Sequence, residues 1–534
     1  MPVIIPQTDV YLLKVPLEIN DVNQLTFSNA TAQYNYFNSL PKLSVDNFTY
    51  QRKDGTIRFG AHIDDIMQYN YCMYRNEAYS NKWFYAFITD MTYLNDNVTA
   101  VSIKTDVWQT WQFNLDYKRT FVEREHVNDD TIGAHTIDEG LELGDYIINS
   151  SRTLKPDLQV RDADNELIIG LKFPIFFQVT ELASGISIAS SAFDSGYNGV
   201  FSGLKYFAVT SYSAARTIIN TYDSQGKGDS IIAIFLAPLE FLSGAVKFGE
   251  LGFNIYIPQD TGRPTRLLED ATITRPSTLN GYVPKNNKLF VYPFSYLYVT
   301  NNTGIDTTFR YEDFENATPK FYMGGALGQG CTVKLCPVSY KKYTSNAEVF
   351  EYGVTGAKYP VCAWSSDYYT NWVTQNAVNM GLNVATGVVS AGVNASYGNL
   401  VGAGTSLLSS IGGVMAQRYQ AQVHPDQAKG NTNSSDILIG WERYYTADCM
   451  SIRAEVARTI DDYFTMFGYK VNRVKLPNIT GRRNWNYVKT IGCYIHADIP
   501  QADLEEIKDM FNRGVTFWHN PATFADYSQA NDII

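Results

Sequence analysis

The sequence predicts a mainly β protein with a few helices, an α+β chain, and three observations carry that expectation. Aromatic residues make up 14% of the chain, with tyrosine (38) and phenylalanine (29) dominant, and such side chains fit the pleated, half-buried surface of a sheet. Between Tyr11 and Arg124, short apolar runs alternate with Asn/Asp/Gly punctuation, the pattern of strands joined by turns. Helical spacing appears late, in 451–468 and 500–514.

In chain order, "NKWFYAFITDMTYLNDNVTAVSIKTDVWQTW" gives the clearest hairpin. The run Trp83 to Ile88 forms one strand, Asn95-Asp96-Asn97 the turn, and Val98, Val101, Ile103 and Val107 the second strand. From about Ser151 to Pro284, apolar strands such as "NELIIGLKFPIFFQV" and "DSIIAIFLAPLEFL" alternate with Gly/Ser loops, as in a separate or inserted β-rich domain. Alternation resumes in "NNKLFVYPFSYLYVTNNTG", and "KFYMGGALGQGCTVKLCPVSY" reads as two strands around a glycine turn. "DQAKGNTNSSD" reads as a polar loop. In "SIRAEVARTIDDYFTMFG", Ile452, Val456, Ile460, Tyr463, Phe464 and Phe467 recur at helical spacing, with Gly468 as the stop. In "PQADLEEIKDMFNRG", Asp503 and Glu506 make a capping-box-like start, Leu504, Ile507 and Phe511 the stripe, and Gly514 the end.

At 534 residues the chain is long enough for several domains. A net charge of −11 argues against a simple nucleic-acid-binding surface, which needs Lys/Arg to displace counterions. An acidic wall would, however, let a polyanion slide past without sticking. The stretch "MPVIIPQTDVYLLKVPL" has no basic n-region and long apolar core, so no signal peptide is expected. Six cysteines (Cys72, Cys331, Cys336, Cys362, Cys449, Cys493) without a CxxC pair are expected as buried free thiols. Cys331 and Cys336, at an odd offset on a strand, face opposite ways and share no metal.

No catalytic residue, metal site or cofactor emerges. HExxH, GxSxG and the Walker A loop are absent from the sequence. The glycines of "GGALGQG" lie between strands with no helix following, so a turn is expected there rather than a phosphate cradle. The six histidines (His62, His126, His135, His424, His496, His519) are scattered, and the pairs Asp64-Asp65 and Asp461-Asp462 are expected on solvated surface. Arg473, Lys475, Arg482, Arg483 and Lys489, interleaved with Trp485 and Tyr487, suggest a strand pair with charged outer positions, or an inter-subunit contact, ahead of a nucleic-acid patch.

The most unusual stretch is uncharged, running from Tyr368 to Gln417. A buried core segment would recruit Leu, Ile and Phe, whereas Gly, Ala, Ser, Val and Asn dominate here. In a bilayer, about twenty uncharged residues span once, and the stretch holds two passes joined by a turn. Gly398-x-x-x-Gly402 lets helices approach closely in lipid. Asn383, Asn394 and Asn399 oppose insertion, while each Val, Leu or Ile favours it by a few tenths of a kcal/mol. Conditional membrane insertion and a buried structural segment both remain open on the residues alone.

Several motifs in order, "QYNYFNSL", "NKWFYAFITD", "DVWQTWQFN", "VEREHV" with "TIDEGLELGDY", and later "YKVNRVKLPN", "NWNYV" and "GVTFWH", resemble the tail knob family. These are distal tail-tube proteins of small short-tailed bacteriophages of Gram-positive bacteria, the phi-twenty-nine-like group (Picovirinae type). The resemblance covers roughly 30–150 and 320–534. It implies tail-tube-type β-sheet domains in a homohexameric tube, with a long hydrophobic loop insertion that plugs the lumen, is expelled at infection, and forms a pore in the host cell membrane for genome ejection. The residues matching that loop are Gly381, Val384, Val388, Val389, Gly392, Val393, Gly398, Leu400, Val401, Gly402, Leu407, Leu408, Ile411, Val414 and Met415. Acidification is an implied trigger, and His424 is the nearby titratable group.

On this resemblance, 1–150 is an N-terminal tube domain, 151–290 an inserted β-rich domain at the tube bottom or outside, 291–355 a return to the tube domain, 356–440 the loop insertion, and 441–534 the C-terminal part of the tube domain. Implied partners are the upper tail and collar (connector) proteins, viral DNA passing without sequence-specific contact, the host membrane, and a tail-tip wall-degrading protein. The implied location is the virion's distal tail, after synthesis in the host cytoplasm. The rival reading is a tail tube subunit with receptor-binding or cell-wall-degrading activity whose loop only seals the lumen.

Overall fold

The structure is a computed structural model that describes residues 8–19, 22–48, 53–76, 80–155, 159–186, 205–258, 265–302, 304–325, 332–342, 350–358, 361–366, 428–431 and 445–534. Sheets dominate, with six α-helices among the described residues, so the mainly β expectation holds. The chain forms two units: one from Met1–Asp145, Gly281–Phe294 and Arg453–Ile534, the other from Tyr146–Asn280 and Ser295–Ile452.

The first unit contains two large sheets. One has six strands, in the order Lys42–Phe48, Thr8–Leu13, Tyr71–Asn76, Trp83–Asn95, Val98–Thr105 and Thr56–Phe59, with every neighbouring pair antiparallel. The expected hairpin is present, with Asn95 opposite Val98 and Asp96-Asn97 left as the turn. Val107 departs from expectation: the strand ends at Thr105 and Val107–Trp111 is a short helix. Asp106 sets that switch, accepting from the Gln109 backbone N–H (2.9 Å) as a helix cap. A second departure is Ala30–Ser39, within a stretch expected to be strands and turns but helical and capped by Asn29. Phe37 on this helix stacks against Tyr71 of the sheet, with centroids 5.6 Å apart, so tertiary packing overrides the aromatic strand preference.

The five-stranded sheet runs Asn23–Leu25, Val515–Trp518, Trp485–Ile491, Thr120–Glu125 and Tyr469–Lys475. Both late helices form, as Ala454–Phe467 and Gln501–Arg513. Ile460 and Phe464 of the first are buried, as are Leu504, Ile507 and Phe511 of the second. The capping box does not form. The helix begins at Gln501, and Asp503 lies inside the first turn, pairing with Lys53 and accepting from Trp111 Nε1 (2.8 Å).

The second unit holds a seven-stranded sheet ordered Val246–Glu250, Phe253–Ile257, Lys205–Val209, Ile175–Val179, Ile231–Leu236, Val361–Ser366 and Ala428–Asn431. Two four-stranded sheets accompany it, and one of them carries the expected antiparallel pair Lys320–Gly325 and Thr332–Val338. Residues 167–171 of "NELIIGLKFPIFFQV" form no strand beyond a single bridge from Leu167 to Arg161. Tyr212–Ser224 is a helix capped by Ser211, which the Gly/Ser-rich context hid.

The division at residue 290 differs from this partition. Between Tyr146 and Ile452 only Gly281–Phe294 belongs to the first unit, while Ser295–Thr300 pairs with Tyr445–Ile452 and Asp306–Phe309 in the second. The apolar alternation of Ser295–Thr300 is equally consistent with either sheet, so only its pairing partners decide.

Gly468 closes its helix at φ +66°, and a Cβ there would run into the Glu125 backbone carbonyl. Gly468→Ala is therefore expected to lower stability by about 2–4 kcal/mol, from left-handed strain plus a steric clash. Chemical denaturation followed by circular dichroism measures it.

Candidate functional site

The membrane-active residues expected between Gly381 and Met415, and His424, lie outside the described residues. The structure does define where their segment is tied. Val361–Ser366 pairs antiparallel with Ile231–Leu236 on one side and with Ala428–Asn431 on the other. Ser366 stands opposite Ala428, and Ala363 opposite Asn431. Residues 367–427 thus connect two neighbouring strands at one border of the seven-stranded sheet. Paired strands lie about 4.8 Å apart, so the segment leaves and rejoins the fold at almost one point. The strand Ala428–Asn431 falls within the stretch expected as a polar loop. Its ladder is made by backbone groups, to which side-chain polarity is a weak guide. Among the described residues no helix is long and apolar enough to cross a membrane.

The chemistry-bearing residues elsewhere form a scaffold. In the first unit Glu139, with no side-chain exposure, pairs with Arg124 and Lys288 and accepts from the Lys470 backbone N–H (3.0 Å). Desolvation lowers the Lys288 pKa, and Glu139 opposes that shift. Asp461 accepts from Tyr282 Oη (2.7 Å), the backbone N–H groups of Lys285 (2.7 Å) and Asn286 (3.0 Å), and Asn286 Nδ2 (2.8 Å). This corrects the expected solvated Asp461-Asp462 pair: Asp461 is fully buried, and Asp462 alone remains exposed, 3.3 Å from Lys285. The "VEREH" and "DEGLELG" stretches supply this network, a role that spacing along the chain could not reveal.

A cavity of about 360 Å³ lies beside the network, lined by His126, Asn286, Thr465, Arg482 and the segment 527–532. Arg482 donates to the carbonyls of Val127 (2.8 Å) and Asn531 (3.2 Å), and Asn286 Nδ2 donates to Thr465 Oγ1 (2.9 Å). His126 is buried and neutral. Its Nδ1 accepts from the Tyr487 backbone N–H (2.7 Å), and its Nε2 lies 3.0 Å from the Thr465 carbonyl. Desolvation, with help from Arg482, pushes its pKa down to about 3, and desolvation takes His519 to about 4. These groups hold chain segments together.

The basic run is resolved in the same terms. Its two strands do not pair with each other; each flanks Thr120–Glu125. Lys475 pairs with Glu125, Lys489 with Glu123 (3.0 Å) and Arg483 with Asp532 (3.7 Å), so three of the five cations have carboxylate partners. Cys72, Cys336, Cys449 and Cys493 are buried free thiols; Cys331 lies outside the described residues. Among the described residues no group of three His, Cys, Asp or Glu could hold a metal ion.

Comparisons with known proteins point to phage tail proteins. The family model of the C-terminal domain of tail knob protein gp9 from Bacillus phage phi29 matches residues 263–532, and that of the caudoviral major tail protein N-terminus matches 6–116. Tail knob protein gp9 of Bacillus phage phi29 is 24% identical, and that of Bacillus phage PZA 25%, each alignment covering 98% of both chains. The solved structure of the bacteriophage C1 tail knob protein, gp12, superposes with a TM-score of 0.64 at 14% identity, over 99% of this chain and 100% of that one.

Two predictions follow from the buried network and the histidines. Asp461→Ala leaves Tyr282 Oη and the backbone N–H groups of Lys285 and Asn286 unmatched and is expected to destabilise the first unit by about 3–5 kcal/mol, read from the denaturation midpoint. The depressed histidine pKa values mean that the unfolded chain binds protons that the folded one refuses from pH ~6.5 down to about 3–4. Stability therefore falls with pH across that window, by up to about 1.4 kcal/mol per unit for each histidine. The melting temperature at pH 5 is expected below that at pH 7, and His126→Gln should flatten the slope.

Proposed function

Because the chain belongs to the tail knob protein gp9 family, we propose that it forms a homohexameric knob at the distal end of a phage tail, whose loops plug the lumen and then open a pore in the host membrane. It is a structural component of the virion tail, acting within an assembly of other tail proteins. The finer reading adds the partners: upper tail and collar proteins above, viral DNA passing without sequence-specific contact, a wall-degrading tip protein, and the host membrane once the loops leave. The protein is made in the host cytoplasm and carried in the virion. Its acidic balance suits a conduit, since a negative wall repels phosphates and keeps DNA from binding.

The observation that carries this reading is the uncharged stretch Tyr368–Gln417, held between strands that pair at Ser366 and Ala428. A segment whose two ends are neighbours enters and leaves a bilayer from the same side, so it crosses an even number of times. Two crossings need about 40 residues, and 367–427 supplies them. The composition favours storage followed by insertion. Val384, Val388, Val389, Val393, Leu400, Val401, Leu407, Leu408, Ile411 and Val414 each favour the bilayer by about 0.3–0.6 kcal/mol, against which the asparagines and serines work. The sum lies near balance, which keeps the segment compatible with water until it is released. Gly381, Gly392, Gly398 and Gly402 let the crossings pack closely, and Met415 adds a flexible apolar contact.

The test is release of a trapped dye from liposomes. The whole protein is expected to release dye, more strongly at pH 5 than at pH 7, and a variant lacking 381–416 is expected to release none. His424→Gln should remove the pH difference if His424 is the trigger. Intact liposomes at every pH, or equal release by the deletion variant, would sink the pore. A particle that adsorbs and delivers its genome with the deletion in place would point to a loop that only seals the lumen.

A further inference from the structure

On the five-stranded sheet of the first unit, Val474 and Ile491 both stand opposite Phe121 in the cross-strand register. The three form one row across adjacent strands, and all are exposed: Val474 59%, Phe121 37% and Ile491 58%. Leu476 and Tyr494 are also more than half exposed. Cross-strand aliphatic and aromatic neighbours on one face make a continuous apolar surface, and on a soluble protein such a patch marks a contact. The sheet's outer edge is not the docking element. Tyr469–Lys475 carries a register shift between Lys470 and Arg473 with Asn472 at φ +46°, and bulges and charges of this kind blunt an edge against further strand pairing. The face is left.

A second apolar surface belongs to the other sheet of the same unit. At the end of the Trp83–Asn95/Val98–Thr105 hairpin, Tyr93 and Leu94 are exposed, and Met67 follows the short helix Ile63–Ile66. The His62 ring, which caps that helix, lies 5.7 Å from the Tyr93 ring, edge-on. The two surfaces differ in the charges around them. The hairpin end has exposed Asp64, Asp65 and Asp96 against Arg58. Around the row, Lys118 is paired with Asp116 and Lys489 with Glu123, leaving exposed Arg119, two residues before Phe121, in excess; Arg473 stands opposite the buried Val122 and belongs to the other face.

We propose that the Val474–Phe121–Ile491 row is the socket for the hairpin end (Tyr93, Leu94, Met67) of a second copy of this chain. Two unlike, mutually complementary patches on one subunit make a head-to-tail contact, which closes into a ring when the rotation allows. A patch that paired with itself would bring Arg119 against its own copy, whereas the acidic hairpin end attracts it. The contact rests on the ring reading above and names the surfaces that make it.

The test uses the full chain, with assembly followed by analytical ultracentrifugation and native mass spectrometry. Val474→Ser/Ile491→Ser and Leu94→Asp change exposed positions, so near-UV circular dichroism and melting temperature should match the parent. Each is expected to raise the concentration needed for assembly at least about tenfold. Mixed one to one, the row variant and the hairpin variant should form a dimer that neither forms alone, through one intact row and one intact hairpin end. Arg119→Glu should weaken assembly, and adding Asp65→Lys should restore it. A hairpin variant that assembles like the parent overturns the contact while leaving the ring standing. A parent chain that stays monomeric at every concentration overturns both.

Discussion

Burial of Glu139 and Asp461 is the constraint on which the first unit depends. Its chain is discontinuous, assembled from 1–145, 281–294 and 453–534, and the middle piece is too short to carry a core of its own. Buried Leu289, Val291 and Phe294 anchor Gly281–Phe294, and buried charges fix its register. Asp461 takes four hydrogen bonds from Tyr282, Lys285 and Asn286, while Glu139 holds Lys288. Asp130 completes the tie, accepting from Tyr469 Oη (2.6 Å) and the Asn287 backbone N–H (3.1 Å). Charges this deeply buried are tolerated because nearly every lone pair is matched, and they are exacting because a half-matched site costs several kcal/mol. Such a network fixes register, whereas an apolar plug would stabilise the same segment without specifying its position.

How much of this was legible in the sequence depends on the range of the interaction. The hairpin at Asn95–Val98 and the helix stops at Gly468 and Gly514 are local events, and the residues that cause them sit beside their effects. The helix Ala30–Ser39 was not legible, because Phe37 is held there by Tyr71 and Tyr85, far along the chain. Asp461 shows the same limit at a single residue. Neighbouring carboxylates on a helix do point apart, as expected, yet which one meets solvent is decided by Lys285 and Asn286, some 175 residues away. The candidate site divides likewise. The uncharged composition of 368–417 is plain in the sequence, whereas the pairing of Ser366 with Ala428 needs a fold.

That pairing changes what the uncharged segment is able to do. A free tail of the same composition could insert with any number of crossings, or lie along the membrane surface. In the proposed insertion, ends fixed one strand spacing apart allow only an even number of crossings, and the sheet already meets the entropy of bringing those ends together. The anchor need not be strong. Four residues on one side and six on the other form the ladder, and Val361–Ser366 is joined to the remaining strands through Ile231–Leu236, so pull on the segment is spread into the sheet.

The energetic balance of the segment also bears on the proposed hexamer. In the proposed mechanism insertion is close to neutral for one chain, so a small bias per copy decides the outcome only when the copies act together. Six coupled segments, each favoured by ~1 kcal/mol, shift the equilibrium of the set by ~6 kcal/mol, about four orders of magnitude. A strongly apolar segment would insert without this coupling, but it would also aggregate during synthesis and assembly. A weakly apolar, glycine-rich one stays manageable alone and becomes decisive in a ring. The asparagines at 383, 394 and 399, which weaken a lone segment as a membrane anchor, are on this account what makes insertion conditional on assembly.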